Sequence, residues 1–300
     1  MDNKPYFSKY ITGLFEASGS VIIRKDTGYP RITFAFNTKN QPLAEAIRER
    51  IGHGTIQCYG KCSLNYVISN KEGVIKFIGL VSKYFRTPNL GGLTNKGKPS
   101  WFKIYAFNNM INHINQTRNS GFSLATFDTS PLSDNPWLSG FLETNGSFSI
   151  RAKLRDQTLK KYTKKQELIY YDYDLSFSLY HKKTDKNNNS YGPFLQTVSE
   201  LLEDTVQETN SQFNIKLDNI KSIVTLLHYL GKFPLYGQQY SKYKIFTETI
   251  ELILYKYSLT TEEKIKGIKS LIKIKKEELE ELNESIEQYV SETIKDMPRF

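Results

Sequence analysis

Hydrophobic and polar residues alternate strictly in a segment that begins after Gly146. Its apolar positions are Phe148, Ile150, Ala152 and Leu154, and its polar positions are Ser149, Arg151, Lys153 and Arg155. Residues 31–37 alternate in the same way, with apolar side chains at Ile32, Phe34 and Phe36. A period of two predicts β-strands with one face packed on a core and the other face polar and basic.

The predicted elements recur in two halves of the chain. Hydrophobic periodicity predicts helices near 42–51 and 193–202, second strand pairs near 54–68 and 205–217, and helices near 72–85 and 219–230. A closing helix is expected in each half, near 99–115 and 240–257. The fold class predicted is therefore α+β, with two pseudo-symmetric α-β-β-α-β-β-α halves.

Each half opens with a copy of one sequence motif. Residues 10–20 read YITGLFEASGS, and residues 137–147 read WLSGFLETNGS. Self-similarity of this kind indicates an internal duplication. Each motif is predicted to form a helix that stops at a glycine, Gly19 or Gly146, because glycine is common at the C-terminal end of helices.

The composition favours a polyanionic partner. The 300 residues carry a formal net charge of +10, with ordinary hydrophobic content, so a globular protein that meets nucleic acid is the leading interpretation. No apolar run approaches membrane-spanning length, so no membrane partner is expected. Residues with A/T-rich codons are abundant, among them 20 Tyr and 18 Phe, which favours an organellar gene and a mitochondrial location.

The two cysteines do not predict a metal site. Cys58 and Cys62 form one C-x-x-x-C spacing without further Cys or His ligands nearby, which is a poor zinc site. Cys58 alternates with Ile56 in a predicted strand, so we expect it to be a buried thiol.

The two motifs resemble those of the LAGLIDADG family, over residues about 8–257. Known members are homing endonucleases and group I intron maturases. The resemblance implies a monomeric saddle astride a nucleic acid, with the two motif helices packed side by side at a pseudo-dyad. Small residues would let these helices approach closely, and we expect this domain interface at Gly13, Ala17, Gly140 and Thr144.

The resemblance also implies a catalytic position, at which this chain departs from the family. Family endonucleases carry an acid at the eighth motif position, where two acids share the divalent ions that activate water. Here those positions are Ser18 and Asn145. We therefore expect no catalytic residue, no metal ligand and no cofactor, with Mg²⁺ required only if endonuclease activity survives.

Acids remain at the sixth motif position, as Glu16 and Glu143. They lie about 200° around a helix from the eighth position, so we expect a structural role for them rather than metal binding.

Three functions stay open from the sequence. The first is a maturase that binds group I intron RNA and assists its splicing. The second is a degenerate, metal-dependent DNA endonuclease, and the third is a non-catalytic nucleic-acid-binding structural factor. In each, basic strand residues are the expected nucleic-acid contacts: Arg24, Arg31, Arg151, Lys153 and Arg155.

The predicted organisation has four parts. A first LAGLIDADG domain covers residues 1–115, a linker 116–134 and a second LAGLIDADG domain 135–258. The remainder, 259–300, is predicted to be a charged helix with an apolar stripe, suited to packing along the second domain or against a partner.

Overall fold

The structure is a computed structural model that describes residues 4–87, 103–157, 168–184 and 190–255. The first half begins with helix α1 (Lys4–Ser18) and the hairpin β1 (Gly19–Ile23) and β2 (Pro30–Asn37). Helix α2 (Gln41–Ile51) leads to a second hairpin, β3 (Thr55–Tyr59) and β4 (Ser63–Ile68). Helices α3 (Lys71–Val81) and α4 (Lys103–Arg118) complete this half.

The second half repeats this order of elements. It consists of α5 (Trp137–Asn145), β5 (Gly146–Gln157), β6 (Leu168–Lys182), α6 (Gly192–Leu201), β7 (Val206–Glu208), β8 (Gln212–Leu217), α7 (Ile220–Lys232) and α8 (Gln238–Tyr255). The predicted α+β class is confirmed, and both halves have the predicted order α-β-β-α-β-β-α. In each half the closing helix, α4 or α8, follows as an eighth element. The helix predicted at 259–300 lies outside the described residues.

The two sheets have the same topology. Each has four antiparallel strands, in the order β1-β2-β4-β3 in one half and β5-β6-β8-β7 in the other. The first strand of each sheet begins directly at the end of a motif helix, where Gly19 pairs with Phe34 and Gly146 pairs with Leu179. Identical strand order and identical starting points support the duplication that the two motifs indicate.

One face of each sheet is covered by helices. In β2 the side chains of Ile32, Phe34 and Phe36 are buried, while the intervening positions face the other way. Phe15 of α1 lies at the centre of this core, with its ring centroid 5.7 Å from that of Phe34 and 5.4 Å from that of Phe77. The predicted period-two burial of residues 31–37 follows from this one-sided packing.

The second core is built on the same plan. Phe177 of β6 is buried, and its ring centroid lies 4.9 Å from that of Phe148 on β5. The ring of Phe148 also lies 5.2 Å from that of Phe246 on α8. The predicted inward position of Phe148 is therefore observed, whereas the side chains of residues 152–157 are outside the described part.

Helices α1 and α5 cross with their backbones in close contact. A Cβ added at Gly13 would overlap the carbonyl oxygen of Trp137, and one added at Gly140 would overlap that of Tyr10. The two contacts are equivalent because Tyr10 and Trp137 occupy the same position of the motif. Only glycine fits at the crossing, because an added carbon would overlap the backbone of the other helix. Ala17 and Thr144 lie one turn further along each helix and are half-buried.

The glycines that end the motif helices act differently from the prediction. Gly146 has an extended backbone, with φ −84° and ψ 150°, rather than the left-handed conformation of a helix-capping glycine. A Cβ at Gly146 would lie 2.9 Å from the carbonyl oxygen of Leu142, and one at Gly19 would overlap the ring of Phe15. Glycine is needed here because strand and helix meet at close range.

The expectation of a buried Cys58 is wrong. Cys58 is exposed, as is Cys62, and both are free thiols. Cys58 pairs with the buried Leu64, so it lies on the side of the sheet that faces the helices. It is nevertheless exposed because β3 is the edge strand of the sheet and Cys58 lies next to the hairpin turn.

Residues 119–136 connect the two halves along the surface of the first. Phe127 forms a β-bridge with Phe85, and Asp128 makes a nearly buried ion pair with Arg86 at 3.0 Å. Lys9 of α1 lies 3.5 Å from the same carboxylate. This segment overlaps the predicted linker 116–134, although α4 extends to Arg118. The boundaries of the four predicted parts remain predictions. In the described part of the chain, no helix is long and apolar enough to cross a bilayer.

Candidate functional site

The candidate site lies where α1 and α5 end side by side. Ser18 is the last residue of α1, and its hydroxyl donates to the carbonyl oxygen of Leu14 at 3.2 Å. Asn145 is the last residue of α5, and its amide nitrogen Nδ2 is buried with no hydrogen-bond partner among the described residues. Both side chains at this position are neutral. They differ in hydrogen bonding, because the Ser18 hydroxyl has a partner and Asn145 Nδ2 has none among the described residues.

A lysine approaches this site from the first half. Lys103, the first residue of α4, donates from Nζ to the carbonyl oxygen of Phe15 at 3.0 Å. Burial of the amine lowers the pKa of Lys103 to about 7, against an opposing effect of Glu16. The motif pattern did not reveal Lys103. The sequence offers one signal for Lys103, which is a cation in the first turn of a predicted helix, where the helix dipole disfavours positive charge.

In the second half a glutamine occupies the comparable place. Gln239, in the first turn of α8, donates from Nε2 to the carbonyl oxygen of Gly146 at 2.7 Å. Its Oε1 is buried without a partner among the described residues, as are the hydroxyls of Thr144 and Ser241. The two halves therefore differ in charge and in hydrogen bonding at the base of the motif helices.

The Glu16 carboxylate is buried and accepts several hydrogen bonds. The backbone N–H groups of Arg86 and Thr87 donate to it at 2.8 Å each, and the Thr87 hydroxyl also donates. The indole N–H of Trp137, from the other motif helix, donates at 3.0 Å. Burial raises the pKa of Glu16, and these donors act in the opposite direction.

Glu143 holds the equivalent place in the second half. The backbone N–H groups of Tyr236 and Gly237 donate to its carboxylate, at 2.5 Å and 3.1 Å for Oε1, and the hydroxyl of Tyr10 donates at 2.8 Å. Burial raises the pKa of Glu143 as well. Tyr10 and Trp137 are equivalent motif residues, so each half supplies a donor to the buried glutamate of the other. This arrangement supports the structural role expected for both acids.

The residues at the helix ends do not fit a magnesium ion. Mg²⁺ prefers near-octahedral coordination by anionic oxygens. Ser18 and Asn145 are neutral, and the carboxylates of Glu16 and Glu143 are engaged by donors from loops and the opposite helix. Within the described ranges, no group of three or more His, Cys, Asp or Glu side chains could hold a metal ion.

The exposed face of the first sheet carries a small polar network. Nη2 of Arg31 donates to Oε1 of Gln57 at 3.1 Å, and the hydroxyl of Tyr59 donates to the same oxygen at 2.9 Å. Arg24 lies beyond β1 in the hairpin turn, where its guanidinium binds the Asp26 carboxylate. The structure thus places Arg31 among other polar groups of the sheet face and leaves Arg24 at its margin.

The predicted contacts of the second half lie on β5. Arg151 is exposed, and the register places it opposite Asp174. Lys153 lies opposite Asp172 and Arg155 opposite Tyr170, although the side chains of Lys153 and Arg155 are outside the described part. The alternation of β5 alone does not predict that Asp172 and Asp174 lie opposite its basic residues, because these acids belong to β6 and come close only through strand pairing.

Comparison with known proteins agrees with this geometry. Residues 138–250 match the family model "LAGLIDADG endonuclease". The intron-encoded DNA endonuclease aI3 of Saccharomyces cerevisiae is 25% identical over 167 residues, covering 50% of this chain and 39% of that protein. The intron-encoded RNA maturase bI4 of the same yeast is 24% identical over 196 residues, covering 63% of this chain and 27% of that protein. The chain thus spans less than half the length of these two curated relatives.

The fold is also that of a solved structure. The LAGLIDADG meganuclease I-CpaMI, bound to uncleaved DNA, superposes with a TM-score of 0.56 at 14% identity, covering 88% of this chain and 97% of that one. At this identity the likeness concerns the fold alone. The chain therefore carries a match to the LAGLIDADG endonuclease family model in its second half, and its first half has the same strand order.

Proposed function

We propose that this protein is a LAGLIDADG maturase, which binds group I intron RNA and assists its splicing without cutting nucleic acid itself. The observation that carries the proposal is the pair of neutral side chains, Ser18 and Asn145, at the ends of the two motif helices. A hydrolytic site that depends on two shared divalent ions requires anionic ligands there.

The remaining motif acids do not compensate for this loss. Glu16 is held by donors from residues 86, 87 and 137, and Glu143 by donors from residues 10, 236 and 237. To reach a metal at the helix ends, either carboxylate would have to leave these partners unsatisfied in a buried region, which is unfavourable. The helix pair is thus preserved as a scaffold.

Binding rests on charge and on the preserved sheet faces. The chain carries a net charge of +10, and neutralisation of phosphates by Lys and Arg supplies most of the sequence-independent affinity for nucleic acid. A protein that binds only the folded RNA stabilises that fold by mass action. Arg24, Arg31, Arg151, Lys153 and Arg155 are the proposed contacts.

The names of the relatives support an intron-encoded origin for this protein. One is named an intron-encoded RNA maturase and another an intron-encoded DNA endonuclease, so both activities occur among similar proteins. We propose that this chain is also intron-encoded. Together with the abundance of residues that have A/T-rich codons, this favours a mitochondrial origin.

Splicing of the host intron in vitro tests the proposal. The precursor RNA is incubated with and without the protein over a range of magnesium concentrations. We expect the protein to raise the splicing rate at low magnesium, where the RNA fold is least stable. An unchanged rate and an unchanged magnesium requirement would contradict the proposal.

A charge-matched pair of variants makes this test specific. Arg31→Ala removes a cation from the sheet face, whereas Lys221→Ala removes an exposed cation that pairs with Glu203 at the start of α7. We expect Arg31→Ala to weaken stimulation and Lys221→Ala to leave it unchanged. Equal losses would show that binding depends on net charge and not on the sheet face.

A DNA duplex is the second candidate ligand, because the similar meganuclease I-CpaMI was solved bound to DNA. We expect the duplex of the intron insertion site to be bound but not cut in the presence of magnesium. A double-strand break that disappears in Glu16→Gln or Glu143→Gln, with folding retained, would show that the sixth-position acids serve as metal ligands and would establish an endonuclease instead.

A further inference from the structure

A cleft lies on the flank of the first half, away from the base of the motif helices. The space between its lining residues is about 320 Å³, a figure that includes space open to solvent, so the cleft is shallow. The cleft lies where the β1–β2 hairpin meets the start of α3 and the end of α4. Its lining is formed by Tyr29, Pro30, Ser69, Lys71, Val74, Ile75, Ile114, Arg118 and Ser120.

The floor of the cleft is apolar and its rim is basic. Val74 and Ile114 are buried side chains of α3 and α4. Lys71 and Arg118 lie at the rim, and none of the lining residues is acidic. An apolar floor with two cations beside it is complementary to an apolar, flat group that carries a negative charge.

Tyr29 gives the rim an exposed aromatic ring. Tyr29 is 43% exposed, although the aromatic ring of a tyrosine is usually largely buried. The guanidinium of Arg118 lies 4.5 Å from the ring centroid and covers one face. Part of the ring remains exposed to solvent, and the guanidinium restricts its orientation.

The backbone that carries Tyr29 is held in place. The N–H of Arg24 donates to the carbonyl oxygen of Tyr29 at 3.0 Å, closing the hairpin. His113 Nε2 lies 2.8 Å from the carbonyl oxygen of Gly28, which ties the hairpin to α4. Gly28 has φ +63°, a conformation that favours glycine. A preorganised ring loses little conformational freedom when a ligand stacks on it.

The cleft lies apart from the polar network of the sheet face. Val74 and Ile114 belong to helices that cover the buried face of the first sheet, whereas Arg31, Gln57 and Tyr59 project from the opposite face. A nucleic acid that lies on the sheet face therefore does not fill this cleft with its paired bases. A base that is out of the stack can instead reach the exposed ring of Tyr29 at the rim of the cleft.

We propose that the cleft binds one unpaired nucleotide of a single-stranded RNA segment. The base stacks on the exposed part of the Tyr29 ring beside the apolar floor, and the adjoining phosphate lies between Lys71 and Arg118. Specific recognition of RNA relies on unpaired bases stacked on aromatic or guanidinium planes, which is the geometry found here. The inference rests on the proposed function in taking RNA as the ligand, and it adds a site that the sheet faces do not provide.

Binding of a fluorescein-labelled oligouridylate to the full chain tests the stacking. We expect Tyr29→Leu to weaken binding about tenfold, since stacking of a base on an aromatic ring is lost. Tyr29→Phe keeps the ring and should bind within about twofold of the parent. Val224→Ala is the control, because Val224 is 47% exposed on α7 of the second half, away from the cleft and the sheet face, and it should leave oligouridylate binding unchanged.

The charged rim is tested by salt dependence. We expect Lys71→Ala and Arg118→Ala each to reduce the slope of log affinity against log salt by about one. Lys221→Ala, on the surface of the second half, should leave the slope unchanged. Thermal unfolding midpoints of all variants establish that each is folded.

Some outcomes would overturn the inference. They are a Tyr29→Leu variant that binds like the parent, a Tyr29→Phe variant as weak as Tyr29→Leu, or equal loss in Val224→Ala. An oligonucleotide duplex that competes equally and depends equally on Tyr29 would also overturn it, since paired bases cannot stack on Tyr29.

The test also separates this inference from the proposed function. Tyr29-dependent binding of oligouridylate without stimulation of splicing rejects the maturase role and keeps the cleft. Stimulated splicing with Tyr29-independent binding of oligouridylate rejects the cleft and keeps the maturase role.

Discussion

The two motif helices resemble each other more in their middle, where they cross, than at their C-terminal ends, which we call their base. In the middle, Gly13 packs on the backbone of α5 and Gly140 on that of α1, and each helix donates one hydrogen bond to the buried glutamate of the other. At the base, Ser18 is hydrogen bonded within its own helix, whereas Asn145 Nδ2 is buried without a described partner. Lys103 lies at one side and Gln239 at the other.

This difference shows which part of the helices is constrained by packing and which part is not. Two helices in backbone contact tolerate no added carbon at the crossing, so both halves keep glycine there. The base of the helices imposes no such steric demand, and its side chains differ between the halves. A site that no longer held shared metal ions would be free to change in this way, which agrees with the proposed maturase function.

The largest expected effect comes from widening the helix crossing. Gly140→Val places a Cβ on the carbonyl oxygen of Tyr10 and forces α1 and α5 apart. We expect the free energy of unfolding to fall by about 3 kcal/mol or more, because overpacked backbone contacts cannot relax by side-chain movement. Urea unfolding followed by circular dichroism measures this loss.

A glycine without this constraint provides the control. Gly79 lies within α3, and a Cβ there would meet nothing within 4 Å. Gly79→Ala should raise the free energy of unfolding by roughly 0.5–1 kcal/mol through helix propensity. If Gly140→Val is as mild as an ordinary surface change, the close crossing is incorrect.

The next effect concerns the buried glutamates. Glu16→Gln and Glu143→Gln each present an amide N–H₂ group to several N–H donors, and we expect each to lower the free energy of unfolding by about 3 kcal/mol. Tyr10→Phe should couple to Glu143→Gln by about 1 kcal/mol in a double-mutant cycle. The same Tyr10→Phe should be nearly additive with Glu16→Gln, because the Tyr10 hydroxyl donates to Glu143. Equal coupling to both acids would exclude the reciprocal arrangement.

A smaller effect follows from the burial of Lys103. Burial lowers its pKa to about 7 from an ordinary 10.5, so between these values the unfolded chain binds more protons than the folded one. The free energy of unfolding then rises with pH across this window, with a slope of at most about 1.4 kcal/mol per pH unit. Lys103→Met should remove that rise in urea unfolding at a series of pH values. Lys221→Met, at an exposed ion pair, should keep the parent slope.

The smallest effect restores the missing charge at the base. In the variant Ser18→Asp with Asn145→Asp, both helix ends carry carboxylates, and we expect magnesium well above its dissociation constant to stabilise the fold by about 1 kcal/mol. The parent and the neutral Ser18→Asn control should show no such gain in thermal unfolding. A gain in the parent would mean that other groups hold the ion.

Much of the fold could be predicted from local patterns. The motif copies, the period-two strands around Phe34 and Phe148, and the helices that follow each hairpin all appear at the predicted places. The exposure of Cys58 differs from the prediction because alternation assigns a sheet face but not the position of a strand at the edge of its sheet. The pattern predicts the correct helix ends at Gly19 and Gly146, but neither glycine has the positive φ of a helix-capping glycine.

The sequence alone determined the duplication, the two-sided strands and the chemistry of Ser18 and Asn145, since these depend on residue identity and short spacing. Only the tertiary structure decided which groups meet. It brings the Trp137 indole to Glu16, the Lys103 amine to the end of α1, and Arg118 to Tyr29. Each of these pairs is separated by 85 residues or more, and such contacts arise from packing of whole elements, which no local pattern of side chains encodes.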